Sequence, residues 1–354
     1  MNPVLSSKEL PWEKKVHKIS LKEGVSILKE SKMIERSLTI GIPTFNRIKA
    51  VTSCMEFLEN KNLPEGIEIL VIDNNSPDGT FEFLSKRFTG ENVRILKNKE
   101  NLGFSGNTLQ LIKECRTNYR IWNPDEDKPI IENLNFLLDF ISKESPKLVC
   151  PQYFLDGKLY RGKRTIQTIK PKDTWYAAPH APGLVYHVPS TKEILSSFEE
   201  IKNKYPRAYE YYPQIFLFSE LLIRGKCLYW DKPINKQDIF IEATHAKDEF
   251  GSAYYGLSMR WILHKEFTDY FYSLIRKNKG SKIARNLYSM QTDRLFNVIR
   301  QAIETERPDL LLGFDKGLLK RIYRLCYALL RDLIRHPVDT SYKILSLVGI
   351  KKSK

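Results

Sequence analysis

Between residues 37 and 142, short apolar runs alternate with longer stretches of helical periodicity. This alternation narrows the fold more than any other feature of the chain. Runs rich in Ile, Leu and Val predict strands over 37–42, 67–72, 93–96 and 119–122; apolar residues recurring every three to four positions predict helices over 47–59, 80–88, 105–114 and 131–142. Strands alternating with helices build a mainly parallel sheet covered on both faces. Asn75-Ser76-Pro77-Asp78-Gly79-Thr80 reads as a turn and helix start, with Asp78 or Ser76 as the cap, and Pro64-Glu65-Gly66 reads as the close of the first helix. From 147 to 233 the pattern shifts to short strands, aromatics and prolines. A strand is expected over 183–188, a helix over 216–225 and a strand over 226–230. Beyond 239 the chain reads as helical. The expected divisions are an extension over 1–36, which holds a short helix over 21–33, an α/β domain over 37–238 and a helical region over 239–354.

Charge and cysteine usage limit the partners. The 354 residues carry a formal net charge of +15, which suits nucleic acid, an anionic membrane face or an anionic small molecule. The charge is uneven: from 314 to 354, ten Lys and Arg stand against three Asp. The five cysteines are scattered, with no CxxC pair or His/Cys spacing, so reduced thiols are expected and a zinc site is not. The polar start has no apolar core of a signal peptide, and no run approaches the ~20 apolar residues of a membrane span. A cytoplasmic protein is the expectation.

Polar residues gather where the predicted strands end. Leu70-Val71-Ile72 runs into Asp73, and Tyr119-Arg120-Ile121-Trp122 runs into Asn123-Pro124-Asp125-Glu126-Asp127. In an open α/β sheet, ligands bind at the carboxyl edge. A carboxylate cluster there suits a hard divalent cation, Mg2+ or Mn2+, neutralising a diphosphate as it leaves. The competing reading of Asp125-Glu126-Asp127 is a solvated acidic turn at the start of the next helix. No Walker A loop or Gly-rich dinucleotide fingerprint is present, which removes support for ATPase and hydride-transfer chemistry.

Four blocks in order, Ile42-Pro43-Thr44-Phe45-Asn46-Arg47, Val71-Ile72-Asp73-Asn74-Asn75-Ser76, Asn101-Leu102-Gly103-Phe104-Ser105-Gly106-Asn107 and Asp125-Glu126-Asp127, resemble the family 2 glycosyltransferases of the GT-A fold. Within that family the chain looks most like abequosyltransferase-type enzymes of bacterial surface polysaccharide (O-antigen or capsule) synthesis. The resemblance covers 37–234 and is strong to Asp127. It implies a mixed, mainly parallel sheet flanked by helices, a nucleotide-diphospho-sugar donor and a saccharide acceptor, lipid-linked in such pathways. By this resemblance Pro43, Thr44, Phe45 and Asn46 border the base, and Asp73 and Asn74 read it. Asn101, Gly103 and Asn107 lie near the ribose and diphosphate, and Asp125, Glu126 and Asp127 form the DXD motif. Asp127 would then bind the metal, while Asp125 would bind the ribose or sugar or share the metal. Many relatives have Asp-Asp where this chain has Asp73-Asn74, and an amide donates as well as accepts, so a different base preference is expected.

The general base is less legible. An inverting transferase needs a carboxylate or His within reach of the acceptor hydroxyl. The Glu-Asp motif of many relatives is missing, which leaves retention open. Glu210 is the nearest match, Glu220 the second and His180 the third, each weighed against a plain packing or surface role. His245 falls where some relatives carry a further metal ligand, or is an exposed loop residue. Trp175, Tyr176, Tyr209, Tyr211 and Tyr212 either stack on sugar rings or pack. In the tail, Leu318, Leu319, Ile322, Leu325, Leu329, Leu330 and Leu333 share one face of a basic helix. Through 314–354 that helix either docks peripherally on the anionic cytoplasmic face of the inner membrane or packs on the domain or a second subunit. Two other functions stay in view. A sugar nucleotidyltransferase usually carries a Gly-rich, basic signature after the first strand. A non-catalytic carbohydrate or nucleic-acid binder would not need the paired carboxylates.

Overall fold

The computed structural model describes residues 37–155, 157–236, 257–291 and 294. The predicted alternation is present: β1 (Leu38–Thr44), α1 (Ile48–Glu59), β2 (Ile67–Asp73), α2 (Thr80–Arg87), β3 (Val93–Lys97), α3 (Gly103–Glu114), β4 (Tyr119–Trp122), β5 (Lys128–Pro129) and α4 (Leu134–Glu144). Then follow β6 (Leu148–Leu155), β7 (Lys158–Arg161), β8 (Gln167–Thr168), α5 (Thr174–Ala177), β9 (Val185–His187), α6 (Val188–Leu195), α7 (Phe198–Lys204), α8 (Pro206–Tyr211), α9 (Pro213–Arg224), β10 (Cys227–Pro233), β11 (Asn235–Lys236), α10 (Leu257–Lys277) and a last helix over 282–291. Two turn expectations need correction. The first helix closes at Asn60, and Gly66 instead opens β2, its carbonyl accepting from Ser37 N at 2.9 Å. The residue before α2 is Gly79 at φ 79°; Asp78 caps from one position earlier, accepting from Thr80 N at 3.1 Å.

The main sheet has the order β3-β2-β1-β4-β9-β6-β10-β8, with β7 on β6. It is parallel across β3-β2-β1-β4 and between β6 and β10, and β9 runs antiparallel between β4 and β6. β2 is buried along its whole length, as expected of a strand covered on both faces. Alternation of side chains sorts the two layers. Leu38, Ile40, Ile42, Ile69, Val71 and Ile121 meet α1, α2 and α4 on one face. Trp122, Leu148, Cys150, Tyr186 and Tyr229 meet α3, α5 to α9 and α10 on the other, and Leu70 and Ile72 meet Leu111 of α3. Fully burying each such side chain contributes about 1.5–3 kcal/mol.

Connectivity positions the site. From β1 the chain steps outward to β2 and β3, then crosses back to β4 on the other side of β1. The carboxyl ends of β1 and β4 therefore border a crevice where strand order reverses, the place where open α/β sheets bind ligands. The small β5–β11 sheet pairs Asn235 with Pro129 and so ties down the exit from the acidic triplet.

Candidate active site

The crevice is built from the loops after β1, β2 and β4 and the start of α3. The acidic triplet is held through its backbone. Asn123 N donates to Gly41 O at 3.0 Å, and Asn123 Nδ2 donates to Pro124 O at 2.7 Å and Asp127 O at 3.2 Å. Asn235 Nδ2 donates to Asn123 Oδ1 at 2.8 Å, and Cys54 Sγ donates to Asp127 O at 3.3 Å. Burial pushes the Cys54 thiol up to about 12, with the charges of Asp125 and Asp127 adding to the effect.

The triplet is joined to the first loop through side chains. Thr44 Oγ1 donates to Asp125 Oδ2 at 2.8 Å, and Arg47 Nη1 donates to Asp125 Oδ1 at 2.8 Å and Glu126 Oε2 at 2.6 Å. Burial pushes the Asp125 carboxyl well above the ordinary carboxylate range, and its hydrogen bond to Glu126 adds to this. Burial also acts to raise Glu126, but the hydrogen bond from Asp125 and the Arg47 charge outweigh it and leave Glu126 below its ordinary value.

The second loop is a network of amides. Asn74 Nδ2 donates to Asn101 Oδ1 at 2.7 Å and Gly103 O at 3.2 Å, while Asn74 Oδ1 accepts from Asn98 Nδ2 at 2.9 Å and Leu102 N at 3.0 Å. Asn74 is 2% exposed. Asn101 Oδ1 also accepts from Gly103 N at 2.9 Å, and the φ of +70° at Gly103 suits glycine. Asn107 Nδ2 reaches Thr44 O at 3.4 Å and Ile72 O at 3.2 Å, pinning the ends of β1 and β2. Asp73 accepts from Ser76 N at 3.0 Å and from the Ser76 hydroxyl, and Ser76 Oγ in turn accepts from Asn46 N at 2.8 Å. Asn74 and Asn107 are thus satisfied inside the protein. The Asn74 amide is hydrogen-bonded within the Asn98–Gly103 loop. Pro43 is half-buried; Phe45 and Asn46 are exposed at the crevice edge, with Asn46 at φ 53°.

The base candidates separate. A Cβ on Gly103 would lie 3.8 Å from both carboxylate oxygens of Glu210, so Glu210 stands beside the Asn101–Gly103 loop, anchored by Ser105 Oγ donating to Glu210 O at 3.0 Å. Glu220 does not share this position. Its side chain is 3% exposed and is held by Arg224 and, at 3.3 Å, by Lys277 Nζ, which ties α9 to α10. His180 is exposed, with its ring centroid 5.1 Å from that of Tyr160. Among the expected stacking residues, Tyr209 packs in the core against Phe198 at 6.3 Å, Trp175 is half-buried against Phe267 at 5.1 Å, Tyr211 and Tyr212 are half-buried against the same core, and Tyr176 is exposed. Tyr160, on the β6–β7 hairpin next to Tyr153 at 6.3 Å, is exposed to the same degree as Tyr176, 37% each. Burial pushes Tyr153 up to about 12, with the charge of Asp127 adding to the effect. His245, the helix over 21–33 and the tail over 314–354 lie outside the described residues.

The sequence profile described as Glycosyl transferase family 2 matches residues 39–219, more than half of the chain. The chain belongs to glycosyl transferase family 2. A curated relative from Methanococcus voltae, a dolichyl N-acetyl-alpha-D-glucosaminyl phosphate 3-beta-D-2,3-diacetamido-2,3-dideoxy-beta-D-glucuronosyltransferase, is 39% identical over 67 residues, which span 18% of this chain and 21% of that relative. The chain thus matches about a fifth of the relative's length. Among solved structures, residues 1–349 of S. aureus TarS superpose with a TM-score of 0.56 at 15% identity, covering 83% of this chain and 79% of that one. The same protein in complex with UDP gives a TM-score of 0.55 at 15% identity, covering 80% and 77%. The likeness is one of fold, and it makes the sheet described above a GT-A sheet. This family 2 transferase is therefore a glycosyltransferase in class.

The triplet also bears on the divalent cation that the family implies. Among the described residues, no group of three His, Cys, Asp or Glu is arranged to hold a metal. The hard oxygens of Asp125 and Asp127 nonetheless suit Mg2+ or Mn2+, which are commonly bound by one or two carboxylates with substrate phosphates and water completing the shell. The donor set fits a cation shared with a diphosphate and does not form a protein-only cage.

Proposed function

We propose that this family 2 transferase moves a sugar from a nucleoside-diphospho-sugar to a saccharide acceptor, with Asp127 and Asp125 holding a divalent cation against the diphosphate. The supporting observation is the meeting of Asp125 with Thr44 and Arg47 at the strand-order reversal, with Asp127 on the same loop. The cation, when bound, stabilises charge on the leaving diphosphate. The chain's own residues do the rest. Phe45 and Asn46 border the base, and Asp73 reads it as its contacts to Ser76 rearrange. The amide network holds the Asn101–Gly103 loop beside the ribose.

Glu210 is the proposed base. It takes the acceptor hydroxyl proton as that oxygen attacks the anomeric carbon, opposite the breaking bond to the diphosphate, which inverts the centre. Tyr160 and His180 form a rim for the acceptor sugar. His245 is assigned as a further ligand of the cation. We also assign the catalytic domain to 37–238 and a helical region to 239–354. The acceptor is a lipid-linked saccharide of bacterial surface polysaccharide synthesis, met at the cytoplasmic face of the inner membrane through the basic segment 314–354. No helix among the described residues is long and apolar enough to cross a membrane. Equal liposome flotation by the full chain and by a chain ending at Gly313 would remove the membrane role. The central test is a screen of UDP-, GDP-, CDP- and dTDP-sugars with Mn2+ or Mg2+, reading nucleotide release and thermal shift. Stabilisation by one nucleotide that depends on metal is the expected result; silence with acceptor present would refute the reading.

A further inference from the structure

Arg47 has no part in the chemistry so far. It occupies the position before α1, yet its side chain does not cap that helix. It reaches across the crevice to Asp125 and Glu126 through Nη1, at 2.8 and 2.6 Å. The other oxygen of Asp125 accepts from Thr44. Both oxygens of Asp125 are therefore engaged by the loop after β1. The Asp125 side chain is 5% exposed and that of Arg47 is 28% exposed, so the guanidinium lies on the solvent side of the carboxylate it covers. A guanidinium and a divalent cation seek the same oxygens and repel each other. Arg does not give way by losing its proton; it gives way by moving. A diphosphate offers it a second partner, because two phosphate oxygens match the planar fork.

We propose that Arg47 is a positioning residue that covers Asp125 against a bare divalent cation and transfers to the diphosphate when a nucleotide arrives, so that metal and nucleotide enter together. The inference rests on the glycosyltransferase reading above. Before a nucleotide binds, Arg47 supplies the charge that keeps two adjoining carboxylates tolerable. When the diphosphate draws it away, those oxygens are released at the moment the cation has phosphate oxygens to share.

The test is Mn2+ binding to the full chain, read from the paramagnetic resonance signal of free Mn2+, alone and with UDP, GDP, CDP or dTDP. The proteins are the wild type, Arg47→Gln, Arg47→Ala and Arg47→Lys, each checked by thermal melting. Gln keeps a donor for Asp125 and protects the loop against collapse. The wild type should bind bare Mn2+ weakly and bind it much more tightly with one nucleotide. Arg47→Gln and Arg47→Ala should bind bare Mn2+ about tenfold more tightly than the wild type, the effect of removing one nearby positive charge, and should lose most of the gain from nucleotide. Arg47→Lys should restore weak binding. Bare Mn2+ affinity that is unchanged or lower in both uncharged variants overturns the inference while leaving the glycosyltransferase reading intact. A wild type in which no nucleotide strengthens Mn2+ binding overturns both.

Discussion

Asn74 shows how a single atom changes a residue's work. Its side chain donates to Asn101 Oδ1 and Gly103 O and accepts from Asn98 and Leu102. Asp at this position loses the donor and sets a carboxylate oxygen against two acceptors. Leaving such buried groups mismatched costs about 1–3 kcal/mol. Asn74→Asp should therefore lower the melting temperature and raise the KM for every nucleotide-sugar alike. A changed ranking of bases in the donor screen would show that Asn74 does face the base. Glu210 carries the opposite expectation, because its carboxylate adjoins Gly103 and its role is in turnover. Glu210→Gln should lower kcat by roughly 10²–10⁴-fold with melting unchanged, as for loss of a general base; retention of full kcat would return the base to His180. Such assignments were only partly legible in sequence. Asp73 and Asp125 were visible because a carboxylate after an apolar strand needs a partner. The contact between Arg47 and Asp125 spans 78 positions and has no local signature.

At the scale of elements, strands were the easiest part to read. β4 falls on the predicted residues, and β1 and β2 extend the predictions by one or two, because apolar runs bounded by turn residues leave little choice. Which aromatics face solvent was only partly legible: Tyr176 is exposed as Tyr160 is, whereas Trp175 is half-buried under α10 and Tyr209 lies buried under α7. Only packing decides that. Glu220 illustrates the same point for a helix. A lone buried carboxylate on α9 invites a catalytic reading, yet Arg224 and Lys277 hold it, and Lys277 belongs to α10. Glu220→Gln weakens this tie and leaves Arg224 without its ionic partner. Since Lys277 is largely exposed, its share is screened, and a loss of about 1–2 kcal/mol is expected. Denaturant unfolding should record that loss while kcat is preserved. A kcat that collapses with stability intact would place Glu220 back in the site.

Over the whole molecule, the acidic triplet sets function against stability. Asp125 is 4% exposed, and its carboxyl is pushed well above the ordinary carboxylate range by burial first and by Glu126 second. A raised folded pKa means that the folded state binds the proton more tightly than the unfolded chain does. Asp125 thus contributes stability that is fully present below the ordinary carboxylate value and is lost as pH rises through the elevated one. At neutral pH it is a strained group that the surrounding fold tolerates. Asp125→Asn removes the ionisation while keeping an acceptor for Arg47 or Thr44. The variant should melt higher than the wild type near pH 7 by about 2–4 °C, the equivalent of about 1 kcal/mol in a domain of this size, and the difference should shrink as pH falls toward the ordinary carboxylate range. Transfer activity should be lost at every pH. Such a gain from removing a functional carboxylate is the usual trade between activity and stability. A lower melting point at neutral pH would instead mean that the contacts of Asp125 to Thr44 and Arg47 outweigh the cost of burying its charge, and that the triplet supports the fold it was expected to burden.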